Sequence, residues 1–207
     1  SEFGDLRVRT TPIAEEAIIG AAVGAALVGF KPVAEIMLMN FTTVAMDMIV
    51  NHAAKLRFMS GGQSQVPLVI RTLTGAGNQT AGQHADWYEA WFCHTSGIKV
   101  VAPTFAADFK GLYLAAIQDP DPVIIIETGM TLFTPGEVAV DQGPIPLGKA
   151  NVIQQGTDLT IVSYSAQMLR TLMAAPEIAE AGISAEIIDL RTISPWDKET
   201  VLASVAK

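Results

Sequence analysis

The stretch that decides the fold is IKVVAPTFAADFKGLYLAAIQDPDPVIIIE, residues 98–127. Residues 98–102 (IKVVA) and 123–127 (VIIIE) are short, β-rich and almost wholly apolar. The stretch between them, residues 106–118, carries a helical pattern. A strand, a helix and a second strand, with both strands apolar along their whole length, predict parallel pairing in a sheet covered on both faces. The rhythm extends outward. Residues 32–39 (PVAEIMLM) and 66–71 (VPLVIR) read as further strands. Residues 42–59 read as a helix with Asp47, Asn51 and Lys55 on its polar stripe, and 17–30 as a buried apolar helix. Two irregular stretches interrupt the pattern: 72–83, rich in Gly and Thr, and 128–146, with Pro135-Gly136 and Gly143-Pro144. Long loops in compact domains are usually functional or linkers, so the first is assigned to a site and the second to a domain boundary. Beyond it come strand 159–164, helix 167–180, strand 185–190 and helix 197–206. Two strands cannot form an independent sheet core. The expectation is therefore an α/β fold: a parallel-sheet domain over residues 1–146, then an incomplete α/β domain over 147–207.

Composition narrows the function classes. Half of the 207 residues are hydrophobic and only 16% are charged, which excludes a disordered chain. The net charge of −8 repels phosphate backbones, so nucleic acid is not an expected partner. The longest charge-free apolar run, 17–30, is shorter than the ~20 residues a membrane span needs, and no start resembles a signal peptide. One cysteine, Cys93, excludes a disulfide framework and fits a reducing compartment.

The residues able to carry chemistry are few. In Thr11-Pro12-Ile13-Ala14-Glu15-Glu16, Thr11 reads as an N-cap and Pro12 as the first helical residue. Two acids in a first turn can simply complement the helix dipole. The other reading is a carboxylate entering a cleft, and Glu15 is the better choice, flanked by Ile13 and Ala17 on an expected buried stripe. Gly20 and Gly24, four apart, admit a close backbone either inside the domain or at a subunit interface. His84 closes the Gly/Thr loop, as a solvated loop histidine or a site residue. His52 and His94 lie in helical patterns and read as packed or surface residues; Cys93 reads as a small core residue. Asp119-Pro120-Asp121-Pro122 is either a turn or an oxygen-rich cation loop. No P-loop and no GxGxxG after a strand is present.

These stretches together resemble a known family. TPIAEEAIIGAAVGAALVGFKPVAEIM, FMSGGQSQVPLVIRT, GQHADWYEAWFCHTSGIKVVAPTFAADFKGL and DPDPVIIIE are similar, in order and spacing, to the β subunits of the thiamine-diphosphate-dependent decarboxylating component of 2-oxoacid dehydrogenases of the pyruvate, branched-chain and acetoin type. GTDLTIVSYSAQM and EIIDLRTISPWDKETV resemble the start of their C-terminal domain. The resemblance implies a transketolase-like pyrimidine-binding fold. It implies that Glu15 hydrogen-bonds the cofactor's aminopyrimidine and manages its protons, that Phe41 stacks on that ring, and that His84 handles the acyl or lipoyl group. It implies a potassium site at Leu68, Ala116, Asp119 and Asp121. The partners implied are an α subunit holding the magnesium diphosphate in an α2β2 heterotetramer, a lipoyl-bearing acyltransferase core and a 2-oxo acid. The location implied is the bacterial cytoplasm or the mitochondrial matrix.

This chain departs from the family in three ways. Gln83-His84-Ala85-Asp86 stands where the family commonly reads QHSQ. A Tyr-Gly pair is missing near Leu132-Phe133, and the GDG…N pattern used for magnesium diphosphate is absent, so the chain is not expected to catalyse alone. The competing reading is a non-catalytic interaction module that keeps the interface helices without binding cofactor. A fragment of a single-chain transketolase or deoxyxylulose-phosphate synthase is the third; the MSGG run and the DPDP turn argue against it.

Overall fold

The computed structural model describes residues 2–207. In chain order its elements are α1 (Glu15–Leu27), β1 (Val33–Leu38), α2 (Leu56–Met59), β2 (Val69–Thr74), α3 (Glu89–Cys93), β3 (Lys99–Val101), α4 (Ala106–Gln118), β4 (Val123–Thr128), α5 (Gly129–Leu132), β5 (Asn151–Gln154), β6 (Leu159–Ser163), α6 (Ser165–Glu180), β7 (Ala185–Asp189), β8 (Thr192–Ser194) and α7 (Lys198–Val205). Short 3-10 turns cover Met39–Thr43 and Gly82–His84, and a π-helical segment covers Met48–Ala53.

The first sheet has the order β1-β2-β4-β3-β8. Its first four strands are parallel, as the apolar runs predict. Strand β4 is buried along its entire length. Alternate residues point to opposite faces, and two cores result. Ile70, Val100, Ile124 and Ile126 pack under α1, the Met39–Ala53 segment and Phe92. Val69, Val101, Val123 and Ile125 pack under Leu112 and Ala116 of α4. Each fully buried aliphatic side chain contributes ~1.5–3 kcal/mol, which is why β4 forms the middle of the sheet.

Several expectations are corrected. The helix over 42–59 is broken into 3-10, π and α pieces. Its buried residues Met39, Thr42, Ala45, Ile49 and Ala53 drift from three-residue to four-residue spacing. The Ala54 amide donates to the Ile49 carbonyl, five residues back, which widens the turn so that Ile49 and Ala53 both reach the core. The expected polar stripe is real: Asn51 donates to Asp47 at 2.7 Å. Strand β2 starts at Val69 rather than 66, because Pro67 has no N–H for the ladder. It also runs on to Thr74, taking three residues from the expected loop.

Helix α1 begins at Glu15 with Ala14 at its cap, not at Thr11-Pro12. It is buried on one face only, by Ile19, Ala22, Val23 and Ala26. Ile13 and Ala17 are exposed, so the stripe expected to flank Glu15 is not the buried one.

The second sheet has three strands, β5-β7-β6, not two. Strands β6 and β7 are parallel; β5, too short to show a period, adds antiparallel to β7. Strand β8 leaves that unit and pairs antiparallel with β3 of the first sheet. No helix among the described residues is long and apolar enough to cross a membrane.

Candidate functional site

Phe41 follows β1 and His84 follows β2, so both lie at the carboxyl end of the parallel sheet. Open α/β sheets bind ligands at that end. Their rings meet edge to face, with centroids 5.5 Å apart and planes at 85°. Residues 43 apart in sequence are thus brought into one contact. The Gly75–His84 loop closes on itself to present the histidine: the His84 carbonyl accepts from the Gly75 amide at 2.8 Å and from the Thr80 hydroxyl at 3.4 Å. The Nδ1 of His84 is buried and has no hydrogen-bond partner in the protein. A buried ring nitrogen left unpaired costs free energy unless water or a bound group satisfies it.

Glu15 lies at the start of α1, half-buried, while Glu16 is exposed. Glu15 and Glu16 both line a groove of about 520 Å³, with Ala17, Gly20, Ala21, Val44 and Met48. Val44, three residues after Phe41, joins the groove to the segment that carries the aromatic ring. The small residues Ala17, Gly20 and Ala21 keep the space beside the carboxylate open. The Glu15 carboxylate, with an open groove beside it, can bond the polar edge of an aminopyrimidine ring. The orphaned His84 nitrogen and the Phe41 ring, which are not among the groove's lining residues, offer an unpaired polar atom and an aromatic face at the sheet's carboxyl end. The residues therefore fit such a group.

Asp86, marked in the sequence as a departure beside His84, and side chains that sequence reading did not select fix this region. Asp86 accepts from the Asn40 amide at 2.5 Å and from the Tyr88 hydroxyl at 2.9 Å. Tyr88 stacks on Trp91 with centroids 4.4 Å apart. Tyr164, which precedes α6, donates to Glu89 on α3 at 3.0 Å, so the second unit also contacts this region. Burial raises the Tyr164 phenol to about 12 and the neighbouring Cys93 thiol to about 11. A thiol held so high is a poor nucleophile, which agrees with Cys93 as a packing residue. Two sequence features hinted at these contacts: Asn40 immediately before Phe41, and Asp86 two residues after His84.

The structure places the other predicted residues elsewhere. Asp119 and Asp121 sit ahead of β4, at the amino end of the sheet. Lys99 meets Asp119 at 2.7 Å and Asp121 at 3.4 Å, and Arg57 meets Asp121 at 2.6 Å. The Leu68 carbonyl accepts from the Val123 amide, and the Ala116 carbonyl from the Asp119 amide. With both carboxylates neutralised by side-chain cations, these four residues do not fit a further cation as arranged, and no step is derived through one. His52 approaches Asp47 at 3.4 Å on the exposed stripe, and His94 is exposed. A second charged network, Glu127 with Arg71 at 2.7 Å and Tyr113 at 2.6 Å, faces α4 and not the groove.

Comparison with known proteins bears on this geometry. Residues 1–133 match the family described as transketolase, pyrimidine binding domain, and residues 148–207 that described as transketolase, C-terminal domain. The chain is 46% identical over 205 residues to the acetoin:2,6-dichlorophenolindophenol oxidoreductase subunit beta of Cupriavidus necator, covering 99% of this chain and 60% of that protein. It is 47% identical over 207 residues to the pyruvate dehydrogenase E1 component subunit beta of Rhizobium meliloti, covering 100% of this chain and 45% of that protein. With the mitochondrial pyruvate dehydrogenase E1 component subunit beta of Drosophila melanogaster the identity is 44% over 210 residues, covering 100% of this chain and 58% of that protein. The chain thus spans 45–60% of the length of these relatives. Among solved structures, a split gene transketolase described as an inactive beta4 tetramer aligns with a TM-score of 0.79 at 23% identity, covering 94% of this chain and 60% of that one, a likeness of fold.

Proposed function

We propose, from the premise that this chain belongs to the transketolase pyrimidine-binding domain family, that it acts within the β subunit of a thiamine-diphosphate-dependent 2-oxoacid dehydrogenase. The observation that supports the proposal is the Phe41–His84 ring contact at the carboxyl end of the sheet, with the open groove beside Glu15 as a second, separate support. Family regions at residues 1–133 and 148–207 support a division into a pyrimidine-binding unit, residues 1–146, and a C-terminal unit, residues 147–207.

Bound thiamine diphosphate supplies the nucleophilic thiazolium carbon and the electron sink for decarboxylation. This chain's residues orient it and manage protons. Glu15 would hold the pyrimidine ring of the bound cofactor through its carboxyl group and would move a proton at that carboxyl. Phe41 covers the ring face and excludes water. His84, with Nδ1 unpaired, holds or delivers a proton at the reacting group. The diphosphate and its magnesium belong to an α subunit in an α2β2 assembly. The 2-oxo acid enters between the subunits, and the acyl group leaves on a lipoyl arm of an acyltransferase core. Such assemblies work in the bacterial cytoplasm or the mitochondrial matrix.

The test compares Glu15→Gln with Glu16→Gln in the α-containing assembly, by hydrogen–deuterium exchange at the thiazolium carbon and by oxo-acid turnover. Glu15→Gln keeps the shape but not the exchangeable proton, and both rates fall ~10²–10⁴-fold. Glu16→Gln, on the exposed rim of the same groove and about 100° further round the helix, leaves them near wild type. Equal effects from the two would reduce both acids to helix-dipole partners and support the interaction-module reading instead.

A further inference from the structure

The Phe41–His84 contact joins two segments that are poorly held by their own secondary structure. Phe41 sits in a five-residue 3-10 turn, and His84 ends a three-residue one. Neither turn has a side-chain cap. What ties them is the pair Asn40–Asp86. The Asn40 side chain donates its amide to the Asp86 carboxylate at 2.5 Å, and its carbonyl oxygen accepts the Asp86 backbone N–H at 3.4 Å. The Asp86 carbonyl accepts the hydroxyl of buried Thr74, at the end of β2, at 2.9 Å. Its carboxylate also accepts the Tyr88 hydroxyl, itself stacked on Trp91.

Asp86 is therefore held at its backbone by β2 and at its carboxylate by two side chains. It lies two residues from His84, and Asn40 lies one residue from Phe41. An ionised acceptor makes these bonds about twice as strong as neutral ones. One further bond joins the Met39–Thr43 turn to residues 82–88: the Tyr88 amide donates to the Met39 sulfur at 2.9 Å, so Asn40–Asp86 is the charged tie between them.

We infer that Asp86 is a positioning residue: with Asn40 it forms a clamp that sets the His84 imidazole against Phe41 at the cofactor-facing end of the sheet. The inference deepens the proposed function and rests on it for the word cofactor. The clamp itself is a property of the free chain. In this chain the Asp86 carboxylate is the group that grips the Asn40 amide. The bond to Asp86 also raises the Tyr88 phenol above its ordinary value, an independent reporter of the carboxylate.

The test uses the free chain, without thiamine diphosphate, so that failure of the clamp and failure of cofactor binding are separate results. It reads the nuclear Overhauser contact between the Phe41 and His84 rings and the ring-current shift of the His84 protons. Asn40→Asp puts two carboxylates face to face, and both signals are lost. Asn40→Asp with Asp86→Asn restores the pair with the charge on the other side, and both signals return. Asp86→Ala lowers the Tyr88 titration toward that of an ordinary phenol and removes the ring contact. If Asn40→Asp or Asp86→Ala unfolds the turn, recovery in the swapped double variant still supports the clamp, and failure to recover overturns it. Unchanged ring signals in Asn40→Asp and Asp86→Ala would also overturn it.

Discussion

The guanidinium of Arg191 meets the buried carboxylate of Asp108 at 2.7 Å, where the connection from β7 to β8 passes α4. Asp108 belongs to the first unit, whereas Arg191 stands between a strand of the second sheet and a strand of the first. Its own amide donates to the buried Asp189 at 3.1 Å. The two units are thus joined by a desolvated ion pair as well as by strand β8.

Replacing Arg191 by Met leaves Asp108 buried without its cation, and removing one partner of such a pair costs about 3–5 kcal/mol. Urea unfolding of Arg191→Met should show that loss. Adding Asp108→Asn should recover part of it, because the stranded charge is gone. A loss below about 1 kcal/mol would mean that solvent reaches Asp108 and the pair is not desolvated.

Asp189 makes stability depend on pH. Burial, reinforced by the Asp108 charge, raises its carboxyl to about 6 against the efforts of Thr104 and Arg191. The folded state therefore keeps a proton that the unfolded state releases near pH 4. The stability this contributes is fully present below pH 4 and is lost as pH rises to about 6. At roughly 1.4 kcal/mol per unit the loss is at most about 3 kcal/mol. Asp158, held low by the Ser184 amide, and Glu186, held low by Lys207, act with the opposite sign and at lower pH. The clean measurement is the difference between wild type and Asp189→Asn, which should grow in favour of the variant between pH 4 and 6. A flat difference would show that Asp189 is ionised throughout.

Gly97 tests the close approach of the π-helical segment to the turn before β3. Its φ is +98°, and a Cβ there would overlap the Ala54 carbonyl oxygen. Gly62, with φ +83°, has open space around it. Gly62→Ala should cost only the left-handed backbone, about 1–2 kcal/mol. Gly97→Ala adds an overpacking cost of similar size or more, for about 3–5 kcal/mol in all. Similar urea midpoints for the two variants would mean that the segment yields freely.

Legibility in the sequence followed the physics of each segment. Helix 106–118 was readable to the residue, because Asp119-Pro120 stops it and its apolar face repeats cleanly. The β4 strand was readable because a run buried on both faces needs no alternation. Strands β5 and β8 were not readable: three or four residues carry no period, and β8 is defined by its partner β3. The Met39–Met59 region misled because an apolar repeat drifting between three and four residues looks like one continuous helix. Within the candidate site, Glu15 and His84 were already candidates from a helix start and a loop end, while Phe41 and the role of each residue came from resemblance alone. The ring contact, and the Asn40–Asp86 clamp behind it, are long-range pairings that no local pattern encodes.

The last prediction separates the two glycines of α1. A Cβ on Gly20 would touch the Met48 sulfur at 3.4 Å, so Gly20 serves packing inside the chain. A Cβ on Gly24 meets nothing within 4 Å. Gly24 lies with Ala17, Ala21 and Val28 on an exposed stripe at helical spacing, opposite the buried Ile19, Val23 and Ala26. Under the proposed assembly with an α subunit, that smooth face is where another backbone comes close. Gly24→Leu should then leave the isolated chain folded and even raise its stability by about 1 kcal/mol, since Leu is the better helix former. It should nevertheless prevent assembly, because a leucine side chain stands where the partner backbone must approach. Gly20→Leu should do the reverse damage, driving into Met48 and lowering the melting temperature. Thermal unfolding together with sedimentation, with and without the α subunit, reads both effects. Wild-type assembly by Gly24→Leu would remove this face of α1 from the contact and leave its small residues without a role in association.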